Sequence, residues 1–330
     1  MKISVAMATY NGEKYIKEQL QSILQQTMPV DEIIISDDGS SDATLVYIDE
    51  FISAMKIGGG TSVRLLRDNP RHGYCGNFEW ALKHTTGDYI FLSDQDDIWH
   101  PEKVEKIMTY FQKNSEAMMV FHDSWLVKKQ GELLQGSGIN IVSEEYILKL
   151  SKDKFLENAV SSPFVAGMAM CITRKLMSEA IPFPKSFGLH DQWVLFLAIL
   201  KDSCYYLNEK LTYYRIHGEN TAGNRVYKGN LFDRIKKIRK RINKSWKEQN
   251  EFIILGNAMK NKMIEYDATE TEAYKTALRI CEIGEKLQDV FESNRIIGTI
   301  KLCKLFITDM RYRRSGVQAF LYQLASILLM

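Results

Sequence analysis

The chain has little that would tie it together covalently or carry it across a membrane. Five cysteines stand among 330 residues, Cys75, Cys171, Cys204, Cys281 and Cys303, odd in number and far apart, without a C-x-x-C pair or a Cys/His cluster. That pattern argues against a disulfide framework and a zinc site, and predicts reduced thiols in a cytoplasmic protein. No stretch reaches the ~18–20 consecutive apolar residues that a bilayer span needs. The apolar start, Ile3 to Met7, is too short for a secretory signal and reads as a first strand. A formal net charge of +2 leaves no global basic footprint for nucleic acid. Two phosphate-cradling loops are missing as well. There is no Gly-x-x-x-x-Gly-Lys-Ser/Thr, and no Gly-x-Gly-x-x-Gly after the first strand, so neither a P-loop nor a Rossmann dinucleotide site is supported.

What is present is enough apolar material, 45% of residues, to bury one large domain and an appendage. The first 120 residues alternate strand and helix signals. Strands are predicted at Ile3–Met7, Glu32–Ser36, Ser62–Leu66, Tyr89–Leu92 and Ala117–Phe121. Between them lie helical faces: Ile16, Leu20, Ile23 and Leu24 after Asn11 as a cap, then Leu45, Ile48 and Ile52, then Asn77–His84. Val104, Ile107, Met108 and Phe111 form another behind Pro101. Three consecutive isoleucines at 33–35 suit a strand covered on both faces. The βαβαβ order predicts an α/β fold with a mainly parallel, doubly wound sheet. A strand at Met168–Thr173 and a helix from Asp191 follow in a less regular stretch. The character changes at Gly223, so residues 1–222 are expected to form the α/β domain and 223–330 a helical C-terminal region.

Carboxylates gather where the strands end. The apolar run Tyr89 to Leu92 stops in Asp94-Gln95-Asp96-Asp97; the second strand stops in Asp37-Asp38; the first runs into Ala8-Thr9-Tyr10-Asn11. In open α/β sheets ligands bind beyond the carboxyl ends of the strands. Asp-x-Asp supplies hard oxygen ligands suited to Mg²⁺ or Mn²⁺, ions that take one or two carboxylates and complete their shell with substrate phosphates. A sheet that binds nucleotide without a glycine loop needs such a cation. The bland reading of the same residues is a turn with an aspartate capping the helix behind Pro101.

These segments resemble the family 2 glycosyltransferases of the GT-A fold. The resemblance is carried by Val5 to Gly12, Ile35 to Asp42, Thr86 to Trp99 and His190 to Trp193, four motifs in order across roughly residues 1 to 220. Within the family, Ser93-Asp94-Gln95-Asp96-Asp97-Ile98-Trp99 is most like rhamnosyltransferase-type enzymes of bacterial surface polysaccharide synthesis. The resemblance implies a metal-dependent, inverting transfer from a nucleoside-diphosphate sugar (UDP- or dTDP-linked) to a saccharide or lipid-linked acceptor, with Mn²⁺ or Mg²⁺ as cofactor. It places Tyr10 and Asp38 at the nucleobase, Ala8 and Thr9 among the nucleotide-binding residues, Asp94 at the ribose side and Asp96 on the metal. Asp191 becomes the general base, and its competing reading is a helix cap. Arg71, in a loop with Asn69 and Gly73, would meet phosphate or ribose. Arg215 would meet the diphosphate, and His217 would complete the metal sphere. Asp37 either contacts nucleotide or braces its turn; Asp97 either supports the metal site or caps the helix.

Residues 234 to 244 carry seven Lys or Arg among eleven, with Ile235, Ile238 and Ile242 at helical spacing. A cationic amphipathic helix of this kind lies on an anionic membrane surface, joined by the apolar stretch Val317 to Leu329, or packs against the body or a second subunit. The expected location is accordingly cytoplasmic, peripheral to the inner face of the membrane. Two rival functions remain open at this point. A sugar-phosphate nucleotidyltransferase would carry a glycine-rich, basic loop after the first strand, where Ala8-Thr9-Tyr10-Asn11-Gly12 stands instead. A noncatalytic sugar-nucleotide-binding protein would have no need of the pair Asp96 and Asp191.

Overall fold

The computed structural model describes residues 1–58, 60–70, 72–128, 133–138, 151–161, 165–184, 190–217, 254 and 256–292. The chain divides into two compact units, Met1–Phe183 with Gly188–Gly223, and Pro184–Phe187 with Asn224–Met330.

The first unit is built on one sheet with nine strands among the described residues. These are β1 (Ile3–Thr9), β2 (Glu32–Asp37), β3 (Ser62–Leu66), β4 (Tyr89–Ser93), β5 (Ile98–Trp99), β6 (Met119–Lys128), β7 (Leu133–Gly138), β8 (Met170–Thr173) and β9 (Cys204–Ile216). Their order is β3-β2-β1-β4-β8-β6-β9-β5, with β7 paired to β6. β1 pairs in parallel with β2 and β4, and β2 with β3. β8 runs against both β4 and β6, while β6 and β9 are parallel. Six strands therefore point one way, and β5, β7 and β8 run against them. This mixed α/β sheet is the predicted architecture with a reversed strand inserted at its middle. In consequence β6 reaches its place through β8 rather than directly beside β4.

The helices of this unit are α1 (Ile16–Leu24), α2 (Thr44–Gly58), α3 (Tyr74–His84), α4 (Lys103–Lys113), α5 (Lys152–Ser161), α6 (Arg174–Ala180) and α7 (His190–Leu200). Alternation along the strands explains their coverage. Ile3, Val5 and Met7 of β1, Ile33 and Ile35 of β2, and Phe91 of β4 share one core with Ile16, Leu20 and Ile23 of α1 and Val104, Ile107, Met108 and Phe111 of α4. Ile34, Ala6, Ile90 and Leu92, one residue out of phase, are buried too, and α3 with its buried Phe78, Ala81 and Leu82 packs on β1 and β2. The triple isoleucine is covered on both faces.

Several boundaries differ from the expectation. Asn11 is not the cap of α1: it sits at φ 48, and Tyr15 holds the cap position. α3 begins three residues before Asn77, α4 begins two residues beyond Pro101, and Met168–Thr173 opens with a 3₁₀ turn at Gly167–Ala169 before β8 starts. β9 was not anticipated at all. Its polar, tyrosine-rich sequence lacks clean alternation because it is only partly buried along much of its length.

In the second unit, residues 256–265 are helical and α8 spans Glu272–Glu292. Among its described residues, Met259, Met263, Ala273, Ala277 and Cys281 are the buried hydrophobic ones. No described helix is long and apolar enough to cross a membrane. Cys75, Cys171, Cys204 and Cys281 form no disulfide among the described residues. The basic segment 234–244, the stretch 317–329 and Cys303 lie outside the described residues.

Candidate active site

The ends of β1, β2 and β4 meet at one edge of the sheet, and polar side chains lock them together. Asp37 accepts hydrogen bonds from Gly39 N–H (3.0 Å), Ser40 N–H (2.7 Å), Ser40 Oγ (2.6 Å) and Thr9 Oγ1 (2.7 Å). It braces the β2 turn, and Thr9, buried beneath it, turns its hydroxyl to this bracing rather than outward. The Asp38 carboxylate faces the other way. It accepts from Gly73 N–H at 2.9 Å and contacts Nδ1 of the exposed His72 at 2.8 Å. Tyr10 stands 56% exposed beside it at the end of β1, with half-buried Ala8 behind. Arg71 lies outside the described residues, whereas Asn69 is buried and bonds Asn77, which in turn donates to Thr9 O.

The acidic loop after β4 is held from two sides. Gln95 accepts from Tyr10 N–H and donates to Tyr10 C=O, both at 2.9 Å, tying the loop to the end of β1. Gly12 leaves room for that amide: a Cβ there would stand 2.2 Å from Gln95 Oε1. From the far edge, the end of β9 folds over the loop. Arg215 donates its N–H to Asp97 Oδ1 (3.3 Å) and its Nε to Asp96 C=O (3.0 Å), and His217 Nε2 lies 2.8 Å from Asp96 Oδ2. The expected metal ligand and its expected partner, 121 residues apart in sequence, are in direct contact.

Below the loop lies a buried cation. Lys103 donates to Met168 C=O (2.8 Å) and Thr212 Oγ1 (3.0 Å), with its ammonium 4.0 Å from the centre of the Trp99 ring. Burial pulls its pKa down to about 7, against the opposing pull of Asp97 and Asp94. The carboxylates move the other way. Asp94 is pushed up to about 7, first by burial, then by the charges of Asp96 and Asp191, with Lys103 opposing. Asp97, fully buried, is pushed well up by burial and by Asp96 and Asp94, and its Oδ2 has no hydrogen-bond partner among the described residues. Carboxylates thus outnumber Lys103 here, and burial with mutual repulsion disfavours their charged forms, a penalty that a bound divalent cation would relieve. Among the described residues no three His, Cys, Asp or Glu form a metal cage. Asp96 with His217 is the donor pair on offer, the number Mg²⁺ or Mn²⁺ needs when phosphate oxygens complete the shell.

Asp191 lies in the first turn of α7, near enough to Asp94 to raise its pKa. Its carboxylate accepts only the Gln192 N–H (2.8 Å) among the hydrogen bonds described, so it does not close the helix end in the usual capping pattern to a residue two or three further on. The preceding His190 is buried and stacked on Phe78 at 4.1 Å between ring centroids, and burial lowers its pKa.

A family model described as Glycosyl transferase family 2 matches residues 4–176, spanning β1 to β8 and the whole acidic loop. The chain belongs to that family. The transferase is similar to the dTDP-rhamnosyl transferase RfbG of Shigella flexneri, 30% identical over 229 residues, 66% of this chain and 73% of that one. It is also 28% identical over 203 residues to the UDP-Glc:alpha-D-GlcNAc-diphosphoundecaprenol beta-1,3-glucosyltransferase WfgD of Escherichia coli, 61% of this chain and 70% of that one. Among solved structures it resembles residues 1–349 of S. aureus TarS in complex with UDP-GlcNAc, with a TM-score of 0.57 and 16% identity over 99% of this chain and 88% of the other. The mannosyltransferase PcManGT from Pyrobaculum calidifontis in complex with GDP-Man and Mn²⁺ gives 0.53 and 16% identity over 99% and 86%. At such identity the likeness is one of fold, and that fold is GT-A. With the family goes the nucleotidyltransferase reading, and the transferase is an enzyme rather than a passive binder.

Four residues around the site of the transferase were not singled out from sequence: Gln95, Lys103, Tyr15 and Glu18. Gln95 sits inside the motif as the x of Asp-x-Asp. Lys103 reads as an ordinary charged residue of an amphipathic helix until its burial is seen. Tyr15 and Glu18 belong to the start of α1 and acquire meaning only from what β9 brings to them.

Proposed function

We propose that the transferase moves a sugar from a UDP- or dTDP-linked donor, with inversion and with Mn²⁺ or Mg²⁺, to a saccharide or lipid-linked acceptor in bacterial surface polysaccharide synthesis. The observation that carries this reading is the contact of Asp96 Oδ2 with His217 Nε2, with Arg215 clasping the same loop. The names of the two relatives, one dTDP-rhamnosyl and one acting on a diphosphoundecaprenol acceptor, support the donor and acceptor classes. The Mn²⁺ in the mannosyltransferase complex supports the metal class.

The roles follow from position. Tyr10 offers an exposed ring to the nucleobase, and Asp38 accepts its imide N–H in place of the His72 contact. Ala8 lets the base lie close to the end of β1, while Thr9 acts through Asp37. Asp94 faces the ribose; Arg71, outside the described residues, is assigned to phosphate or ribose from its place in the sequence. Asp96 and His217 would hold the cation, which when bound neutralises charge building on the departing diphosphate. Arg215 binds that diphosphate from the side. Asp191 takes the proton from the acceptor hydroxyl as its oxygen attacks the anomeric carbon from the face opposite the diphosphate.

Asp191→Asn tests the chemistry. It should keep UDP and donor binding while losing turnover by ~10²–10⁴-fold, the range for positioned acid–base catalysis. Near-normal turnover would refute the assignment, and a product that retains the donor's anomeric configuration would refute the in-line displacement.

A further inference from the structure

We infer that Tyr15 is a positioning residue for the metal and diphosphate groups, a platform at the start of α1 on which the end of β9 is set. Its ring stacks on His217 with centroids 4.7 Å apart and planes 24° from parallel. The Arg215 guanidinium carbon lies 5.1 Å from the centre of the same ring. One side chain thus meets both of the groups that β9 delivers to the acidic loop. Aromatic stacking and cation–π contact both depend on ring orientation, so the ring sets where the imidazole and guanidinium stand.

The platform is itself held rigidly. Tyr15 is 7% exposed. Its N–H donates to Gly12 C=O at 3.0 Å, and its own carbonyl accepts from Glu18 and Gln19 N–H at 3.0 and 3.1 Å. α1 is then pinned to the end of β4 by Gln19 Nε2, buried and 2.7 Å from Ser93 Oγ, one residue before Asp94. Ring and acidic loop therefore share one frame. Glu18, one turn along the same helix, pairs with Arg215 Nη2 at 2.6 Å. A tyrosine serving only as core would need none of these polar neighbours aligned to it.

The inference rests on the roles proposed for His217 and Arg215, and the experiment separates the two. UDP binding is titrated with and without Mn²⁺ on the full chain for Tyr15→Leu, Tyr15→Phe, His217→Ala and Arg215→Gln, with thermal melts alongside. Residues that orient a metal ligand typically contribute ~10–100-fold to metal affinity. Tyr15→Leu should therefore weaken Mn²⁺-dependent UDP binding by about that factor and raise donor KM more than it lowers kcat. Tyr15→Phe, which keeps the ring, should restore binding. If Tyr15→Leu lowers Tm while Mn²⁺-dependent binding stays at the wild-type level, Tyr15 is packing alone and the inference is overturned. Should Tyr15→Leu fail to fold, Tyr15→Met, flexible and of similar reach, carries the same expectation. If His217→Ala and Arg215→Gln leave binding unchanged, it is the proposed site that fails; if they weaken it and the Tyr15 variants do not, only the platform does.

Discussion

Gly12→Ala should weaken nucleotide binding severalfold while leaving the fold intact. A Cβ at residue 12 would stand 2.2 Å from Gln95 Oε1, 2.5 Å from Cδ and 3.1 Å from Nε2. All three atoms belong to the far end of one flexible side chain, so the clash is relieved by swinging the Gln95 amide away, not by moving backbone. What is lost is the pair of 2.9 Å hydrogen bonds that this amide makes with Tyr10 N–H and C=O. Neutral hydrogen bonds contribute about 0.5–1.5 kcal/mol each, and in this accessible loop the low end applies, so the pair is worth about 1 kcal/mol. At 1.4 kcal/mol per tenfold in an equilibrium constant, that predicts UDP binding weakened ~5-fold. The assay is UDP titration for Gly12→Ala, Gln95→Ala and the double variant. Because the clash needs the Gln95 side chain, the two effects should not add: the double variant should bind like Gln95→Ala. Additive losses would refute the reasoning, and so would wild-type binding by Gly12→Ala.

Glu32, buried at the opposite end of β2, accepts from Ser4 Oγ (2.6 Å) and Thr86 Oγ1 (2.8 Å) and lies 3.5 Å from Lys2 Nζ. Burial raises its pKa, but the hydrogen bonds from Ser4 and Thr86 and the Lys2 charge outweigh this, leaving it below the ordinary 4.5. A depressed carboxylate stabilises the fold above its unfolded pKa and ceases to do so as pH falls through the folded value. Glu32→Gln should therefore cost about 1–3 kcal/mol at pH 7 in urea melts, with the gap to wild type closing below about pH 4.5; a gap that persists unchanged to pH 3 would contradict this. Glu18→Gln removes an anion that competes with the donor diphosphate for Arg215. Such a half-exposed pair is worth ~0–1 kcal/mol, so UDP should bind up to ~5-fold more tightly, whereas tenfold weaker binding would show that Glu18 chiefly positions Arg215. Asp96→Ala should abolish Mn²⁺-dependent UDP binding with Tm little changed, and UDP binding that still responds to Mn²⁺ would rule out Asp96 as a ligand.

The sequence by itself determined what local periodicity and chemistry can encode. Short apolar runs marked β1 to β4, and the three isoleucines at 33–35 announced a strand with helices on both faces. Carboxylates at strand ends pointed to a ligand edge, and the bracing role of Asp37 was one of two readings of an Asp-Gly-Ser turn that closes on itself. Strand direction was beyond it, because a short apolar run such as Met170–Thr173 pairs equally well either way; only the packed sheet set β8 against β4. β9 was invisible because a half-exposed strand shows no clean alternation. The site's decisive contacts are also tertiary. Asp96 meets His217 across 121 residues, Lys103 becomes a buried cation only when Met168 and Thr212 close over it, and Tyr15 becomes a platform only when β9 arrives. Such pairings depend on where distant segments cross, and no local pattern records that; the chemistry was written at the strand ends, and the geometry that uses it came from the fold.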